Sequence, residues 1–223
     1  MKFTKRKLKR FYFFRKFLSK YYRFKLKLKY KVKIKGTGCY KFDKNIEGDN
    51  NEVFVDEGAF VDKASLFIRG NNNKLFIGKN CFIGPDCRFR LEGDNTIIYI
   101  SDNTSATRKV EFCVQEDNRE IFLGKDCMIA NRVVIRTSDT HPITNTESNK
   151  RINYADDVYI GNHVWIAPNC KIMKGSKIAD NCIIGSDSTI TKKYDKENCL
   201  IVGRPAKIVR ENINWERTLT YLK

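Results

Sequence analysis

Two histidines, His141 and His163, are all the imidazole in this 223-residue chain. Imidazole is the side chain whose unperturbed pKa of about 6.5 lets it take a proton near neutrality. His141 stands in Arg136-Thr137-Ser138-Asp139-Thr140-His141-Pro142, six residues after Ile135, where the surrounding pattern requires an aliphatic residue. Breaches of a local rule concentrate at functional positions. His141 is therefore a candidate proton-accepting functional residue, with Asp139 or a backbone carbonyl to hold its second ring nitrogen. His163 follows Asn162 at a repeat corner and reads as an ordinary outward-facing residue. No metal is expected, because the eight cysteines form no CxxC pair.

The elements that must position His141 have a period of six, neither the helical 3.6 nor the plain strand period of 2. Ile160, Ile166, Ile172, Ile178, Ile184 and Ile190 fall at six-residue steps, with Gly161, Ala167, Ala179 and Gly185 directly after four of them. Shorter runs precede them: Ile34-Tyr40-Ile46, Val55-Val61-Phe67, Ile77-Ile83-Phe89, Ile100-Ala106-Phe112 and Leu123-Ile129-Ile135-His141. Between runs recur Gly48-Asp49-Asn50-Asn51, Gly70-Asn71-Asn72-Asn73, Gly93-Asp94-Asn95 and Glu116-Asp117-Asn118, so the unit returns roughly every 22 residues. Three hexads with an Asn/Asp/Gly turn at one corner make a triangular coil, and the fold is predicted as an all-β parallel β-helix over 34–207.

Such a narrow prism takes one aliphatic and one small residue per hexad. Cys81, Cys87, Cys127, Cys170 and Cys182 stand at the small position with Ala59, Ser65, Val133, Val164, Ser176 and Ser188, and are read as core rather than redox or metal groups. The next position should face outward, yet it holds Phe60, Leu66, Phe82, Met128, Trp165 and Ile183. An apolar stripe outside a rod predicts a homo-oligomer, a homotrimer being the leading expectation. The hexad lapses over 142–157, an excursion loop whose Glu147, Arg151 and Asn153 are candidate substrate contacts.

The formal charge of +17 is not spread evenly. Residues 1–35 hold 16 Lys/Arg and no acid, which leaves 27 bases against 26 acids in the rest. The segment 1–33 is a basic amphipathic arm, strictly alternating from Arg23 to Lys35. It is predicted to cap the solenoid, to attract an anionic polymer, or to sit on an anionic membrane surface. Nucleic acid is not expected as a partner, because the cations lie on an arm rather than on the body. Neither a signal peptide nor a transmembrane run is visible, and the expected location is cytoplasmic, possible periphery of the inner membrane face included.

The stretch Ile160-Gly-Asn-His-Val-Trp-Ile-Ala167, the triplet His141-Pro142-Ile143 and the tail Gly203-Arg-Pro-Ala-Lys207 resemble the hexapeptide-repeat acetyltransferases that use acetyl-CoA. Within these, residues 123–217 are most similar to the capsular polysialic acid O-acetyltransferases. The resemblance implies a left-handed coil, a homotrimer with sites in clefts between rods, and His141 as general base for direct acetyl transfer to a polysaccharide hydroxyl. It implies Trp165 as a wall of the cleft, Ala167, Ser186, Thr191 and Lys192 along the acetyl-CoA groove, and Lys207 and Arg210 for the nucleotide phosphates. Residues 208–223 are expected to form a short C-terminal helix or tail. The branch of this fold that works at a zinc needs three histidines, which this chain lacks. The alternative function is a trimeric polysaccharide-binding or scaffold rod without catalysis.

Overall fold

The computed structural model describes residues 33–219, and the predicted arm lies outside them except for its last residue. Among the described residues twenty-two short strands wind round a prism. One face is an eight-stranded parallel sheet running from Lys33–Lys35 through Glu52–Val55, Lys74–Ile77, Ile97–Ile100, Glu120–Leu123, Val158–Ile160 and Lys177–Ile178 to Lys193–Tyr194. The second face carries the ladder Phe82–Ile83, Ser105–Ala106, Met128–Ile129, Trp165–Ile166 and Ile183–Ile184. The third carries Arg88–Glu92, Glu111–Gln115, Val134–Arg136, Lys171–Ile172 and Thr189–Ile190. The long strand Phe60–Arg69 pairs with both and joins them into a fourteen-stranded sheet. A parallel β-helix is thus the architecture.

The hexad explains the interior. Ile77, Ile83, Ile100, Ile129, Ile135, Ile160, Ile166, Ile172, Ile184 and Ile190 are fully buried, and the five small-position cysteines sit among them as free thiols. Burial pushes the Cys81 and Cys87 thiols up to about 11 and Cys127 to about 12. Their sulfurs face coil carbonyls instead, Cys127 Sγ lying 3.1 Å from Gly161 O and Cys170 Sγ 3.1 Å from Gly185 O. Buried thiols held this way act as small core residues.

Corners turn through left-handed backbone, with Asn80, Asn103, Asp126, His163, Asn181 and Asn198 all at φ between 51° and 59° on one edge. Asn and Asp accept that conformation more readily than most residues. At another edge the recurring glycine is required: Gly70 has φ +122°, and a Cβ there would lie 2.1 Å from Gly93 O. The following Asn/Asp residues tie coil to coil, Asp94 Oδ1 accepting from Asn71 N at 2.7 Å and Asp117 Oδ1 from Asp94 N at 2.8 Å.

Four expectations are corrected. Lys63 turns the first long strand one residue early, so Ala64 and Leu66 point inward while Ser65 and Phe67 point outward. Leu66, predicted outside, is 1% exposed and pairs with Phe89, and Phe67 lies beneath Arg69 and Arg90 at 5.2 and 5.3 Å. No helix occurs in the described part of the tail: Ala206–Arg210 is a strand antiparallel to Leu200–Gly203, and residues 211–219 continue without helical structure.

Candidate active site

Between Val134–Arg136 and Val158–Ile160 the chain leaves the prism at the edge joining the third and first faces. The loop is pinned over that edge. Arg151 grips Glu116 through two bonds of 2.8 and 2.5 Å, a fork geometry that matches guanidinium to carboxylate. Ser138 Oγ donates to the same carboxylate at 2.8 Å. The Arg151 fork, the largest influence, holds the Glu116 carboxyl below the usual carboxylate range against the upward push of burial, with Ser138 adding a smaller downward pull. Asn153, 8% exposed, is spent inside the loop: it donates to His141 O at 2.9 Å and Asp139 Oδ2 at 3.0 Å, and accepts from Ile143 N at 2.7 Å. Thr140 Oγ1 donates to Gln115 Oε1 at 2.9 Å, beside His141 in sequence.

His141 itself is exposed, and its ring makes no hydrogen bond among the described residues, whereas its backbone is held at both N–H and C=O. The expected partner Asp139 is engaged elsewhere. Lys174 Nζ lies 2.6 Å from Asp139 Oδ2 and is the main cause of that carboxyl's lowered pKa. The arrangement fixes the position of the imidazole through its backbone and leaves both ring nitrogens open to a substrate.

Trp165 lies on the second face, in register between Met128 and Ile183. In a triangular prism that face is opposite the edge bearing His141, so one chain does not bring the two residues together. The register column Phe60, Phe82, Ser105, Met128, Trp165, Ile183 leaves a half-exposed apolar strip along the face.

His163, expected to face solvent as an ordinary residue, is instead clasped. Its ring stacks on Trp215 at 4.2 Å and 10°, Nδ1 is 2.7 Å from Asp126 Oδ2, and Nε2 is 3.1 Å from Trp215 O. Burial pushes the Asp126 carboxyl up, but bonds from Arg217 and His163 outweigh it and hold the group below its ordinary value. No sequence pattern signalled this set, whose hydrogen-bonded pairs are 37 to 91 residues apart.

The other expected site residues lie at separate edges. Ala167 is 5% exposed and its N–H donates to Ile184 O at 2.9 Å, so it offers no free donor. Ser186 is exposed at the same edge. Thr191 and Lys192 are exposed at the edge that carries His141, and Lys207 and Arg210 on the last strand. Lys192, Lys207 and Arg210 have no carboxylate partner among the described residues. Glu147 is exposed at the loop tip, where Asn145 Oδ1 accepts its N–H at 3.0 Å. Among the described residues no group of three His, Cys, Asp or Glu side chains could hold a metal ion.

Residues 157–192 match the family model described as bacterial transferase hexapeptide (six repeats). A polysialic acid O-acetyltransferase of Escherichia coli O1:K1 / APEC is 42% identical over 91 residues, 41% of this chain and 29% of that protein. One from Neisseria meningitidis is 37% identical over 92 residues, 41% of this chain and 43% of that protein. The chain thus matches less than half the length of these two curated relatives. Solved structures match more fully: the polySia-specific acetyltransferase NeuO superposes with a TM-score of 0.70 at 31% identity, covering 85% of this chain and 89% of that one. The polysialic acid O-acetyltransferase OatWY superposes with a TM-score of 0.60 at 34% identity, covering 81% and 94%. Likeness at that identity over nearly the whole of both solved chains extends beyond the repeat, and this chain belongs to the hexapeptide-repeat acetyltransferase family.

Proposed function

We propose that the chain transfers acetyl from acetyl-CoA to a hydroxyl of an acidic bacterial capsular polysaccharide of the polysialic acid kind, with His141 as general base. One observation carries this reading: an exposed imidazole with no ring partner among the described residues, on a loop fixed by a guanidinium–carboxylate fork and a buried asparagine. Acetyl-CoA supplies an acyl group already activated as a thioester. His141 accepts the hydroxyl proton as the acceptor oxygen bonds to the acetyl carbon, and returns that proton to the departing sulfur, so no acyl-enzyme is needed. Lys207 and Arg210 would bind the phosphates, and Ser186, Thr191 and Lys192 would flank the pantetheine arm.

His141 and Trp165 meet in this reading only across two chains. A homotrimer of left-handed rods, each placing its loop against the second face of the next, would complete three sites. The exposed Ile143, Ile152 and Tyr154 of the loop and the apolar strip around Trp165 support such contact, since large apolar side chains are rarely left open in clusters. In that cleft Trp165 walls the acceptor, while Arg151 and Asn153 hold the loop and Glu147 faces the polymer. The enzyme would work in the cytoplasm, its basic arm steering the polymer or resting on the inner membrane face. Among the described residues no helix is long and apolar enough to cross a membrane.

The test is incubation of the full chain with acetyl-CoA and polysialic acid, following free thiol release and new O-acetyl signals by NMR. The expected result is thiol release dependent on the polymer, falling by roughly 10² or more in His141→Ala, the range for loss of a general base. Thiol release absent from the wild-type chain with any acidic capsular polymer would overturn the reading in favour of a binding rod.

A further inference from the structure

The chain's two tryptophans touch each other. Trp215, 6% exposed, comes from the stretch after the last strand, and its ring centroid lies 6.2 Å from that of Trp165 at 47°. That stretch crosses the rod as a strap. Arg217 donates to Asp126 Oδ1 at 2.7 Å, Ser105 Oγ at 3.0 Å, Asn103 O at 3.1 Å and Cys127 O at 2.8 Å, spanning two successive coils. Trp215 Nε1 donates to His163 O at 2.9 Å, and the His163 ring lies flat on the indole. Ile213 N donates to Asn198 O at 3.0 Å, which fastens the strap at its start.

A surface tail seldom commits so many groups to one spot. Burying Trp215 alone would need only an apolar seat, but here every polar atom of its residue that is described in contact is paired with His163, two residues before Trp165 in the chain. The seat therefore fixes the corner from which Trp165 projects as well as one side of its ring. Trp165 is only half-buried and stands on an open face, so without a lateral neighbour its χ angles would be free to change.

We propose that Trp215 is a positioning residue for Trp165, held in place by His163, Asp126 and Arg217, and that the strap sets the rotamer in which Trp165 meets the acceptor. This rests on the reading of Trp165 as a wall of the acceptor cleft. Trp215 touches no substrate itself and acts through the neighbouring indole. An aromatic pair of this kind contributes enough to change binding about 3- to 10-fold when lost.

Because no other tryptophan is present, Trp215→Phe leaves Trp165 as the sole indole emitter. Acrylamide quenching of Trp165 should be low in Trp215→Phe and clearly higher in Trp215→Leu, which keeps apolar bulk without the ring. In acetyl transfer to polysialic acid, Trp215→Leu is expected to raise KM for the polymer about 3- to 10-fold at nearly unchanged kcat, with Trp215→Phe close to wild type. Affinity for the polymer alone, measured by titration, should fall in Trp215→Leu but change no further when Trp215→Leu is added to Trp165→Ala, because coupled residues fail to add. Equal quenching in the Phe and Leu variants, or the same loss of affinity in both backgrounds, would overturn the proposal. A Trp165→Ala variant with wild-type affinity and kinetics would instead remove the cleft-wall reading on which it stands.

Discussion

The two histidines make the most instructive pair of regions in this molecule. His163 is embedded: one ring nitrogen faces a carboxylate, the other a carbonyl, and an indole covers its plane. His141 is the reverse, its backbone fixed and its ring unengaged among the described residues. Identical side chains thus divide between holding the structure and offering a proton acceptor. The difference arises from what surrounds them rather than from the residue type: a corner under a strap in one case, the outer side of a pinned loop in the other.

That contrast can be broken by exchanging the losses. His141→Ala is expected to lower kcat for the proposed transfer by roughly 10² to 10⁴ while leaving the melting temperature unmoved, since an exposed ring with no partner among the described residues adds little to stability. Unpinning the loop with Glu116→Gln should have the next largest effect, about tenfold in kcat, because small misplacements of a catalytic group are costly. Rates equal to wild type in that variant would mean that the loop holds His141 without the fork.

His163→Ala should show the opposite profile to His141→Ala, a stability loss of about 1–3 kcal/mol from the stranded Asp126 and Trp215, read by denaturant unfolding. Acid sharpens the comparison further. Glu116, Asp126 and Asp139 all have folded pKa values below their ordinary ones. Their contribution to stability is present above the ordinary carboxylate range and is lost as pH falls through the lower folded values. Melting temperature should therefore drop as pH falls below about 4, less steeply in Glu116→Gln. The smallest expected effect is on thiols: alkylating reagents at neutral pH should label none of the buried cysteines of the native chain, because thiols raised to about 11 and about 12 carry almost no thiolate.

Much of the prism was legible because a hexad leaves the same residue type at the same corner on every turn. Ile160 to Ile190 could be counted directly, and the cysteines read as core are core. Counting failed where a side is one residue short, at Lys63, since a period locates residues only while it is unbroken. The loop's departure and the odd position of His141 were also visible. Its pins were not, because Glu116 and Arg151 stand 35 residues apart and come together only when the coils stack. The tail was misread for a similar reason: the strap that carries Trp215 and Arg217 is held by His163 and Asp126, distant in sequence. Sequence periodicity thus predicts the scaffold, whereas the partners of single polar residues depend on register.

The central claim is that the site is completed between chains, by His141 of one and Trp165 of its neighbour. Co-expression of His141→Ala and Trp165→Ala chains, assayed at a polymer concentration at which each alone transfers little, tests it most directly. Random mixing into trimers leaves intact both residues at about one cleft in four, so roughly a quarter of wild-type acetyl transfer should return. A mixed assembly as inactive as either parent would contradict the account.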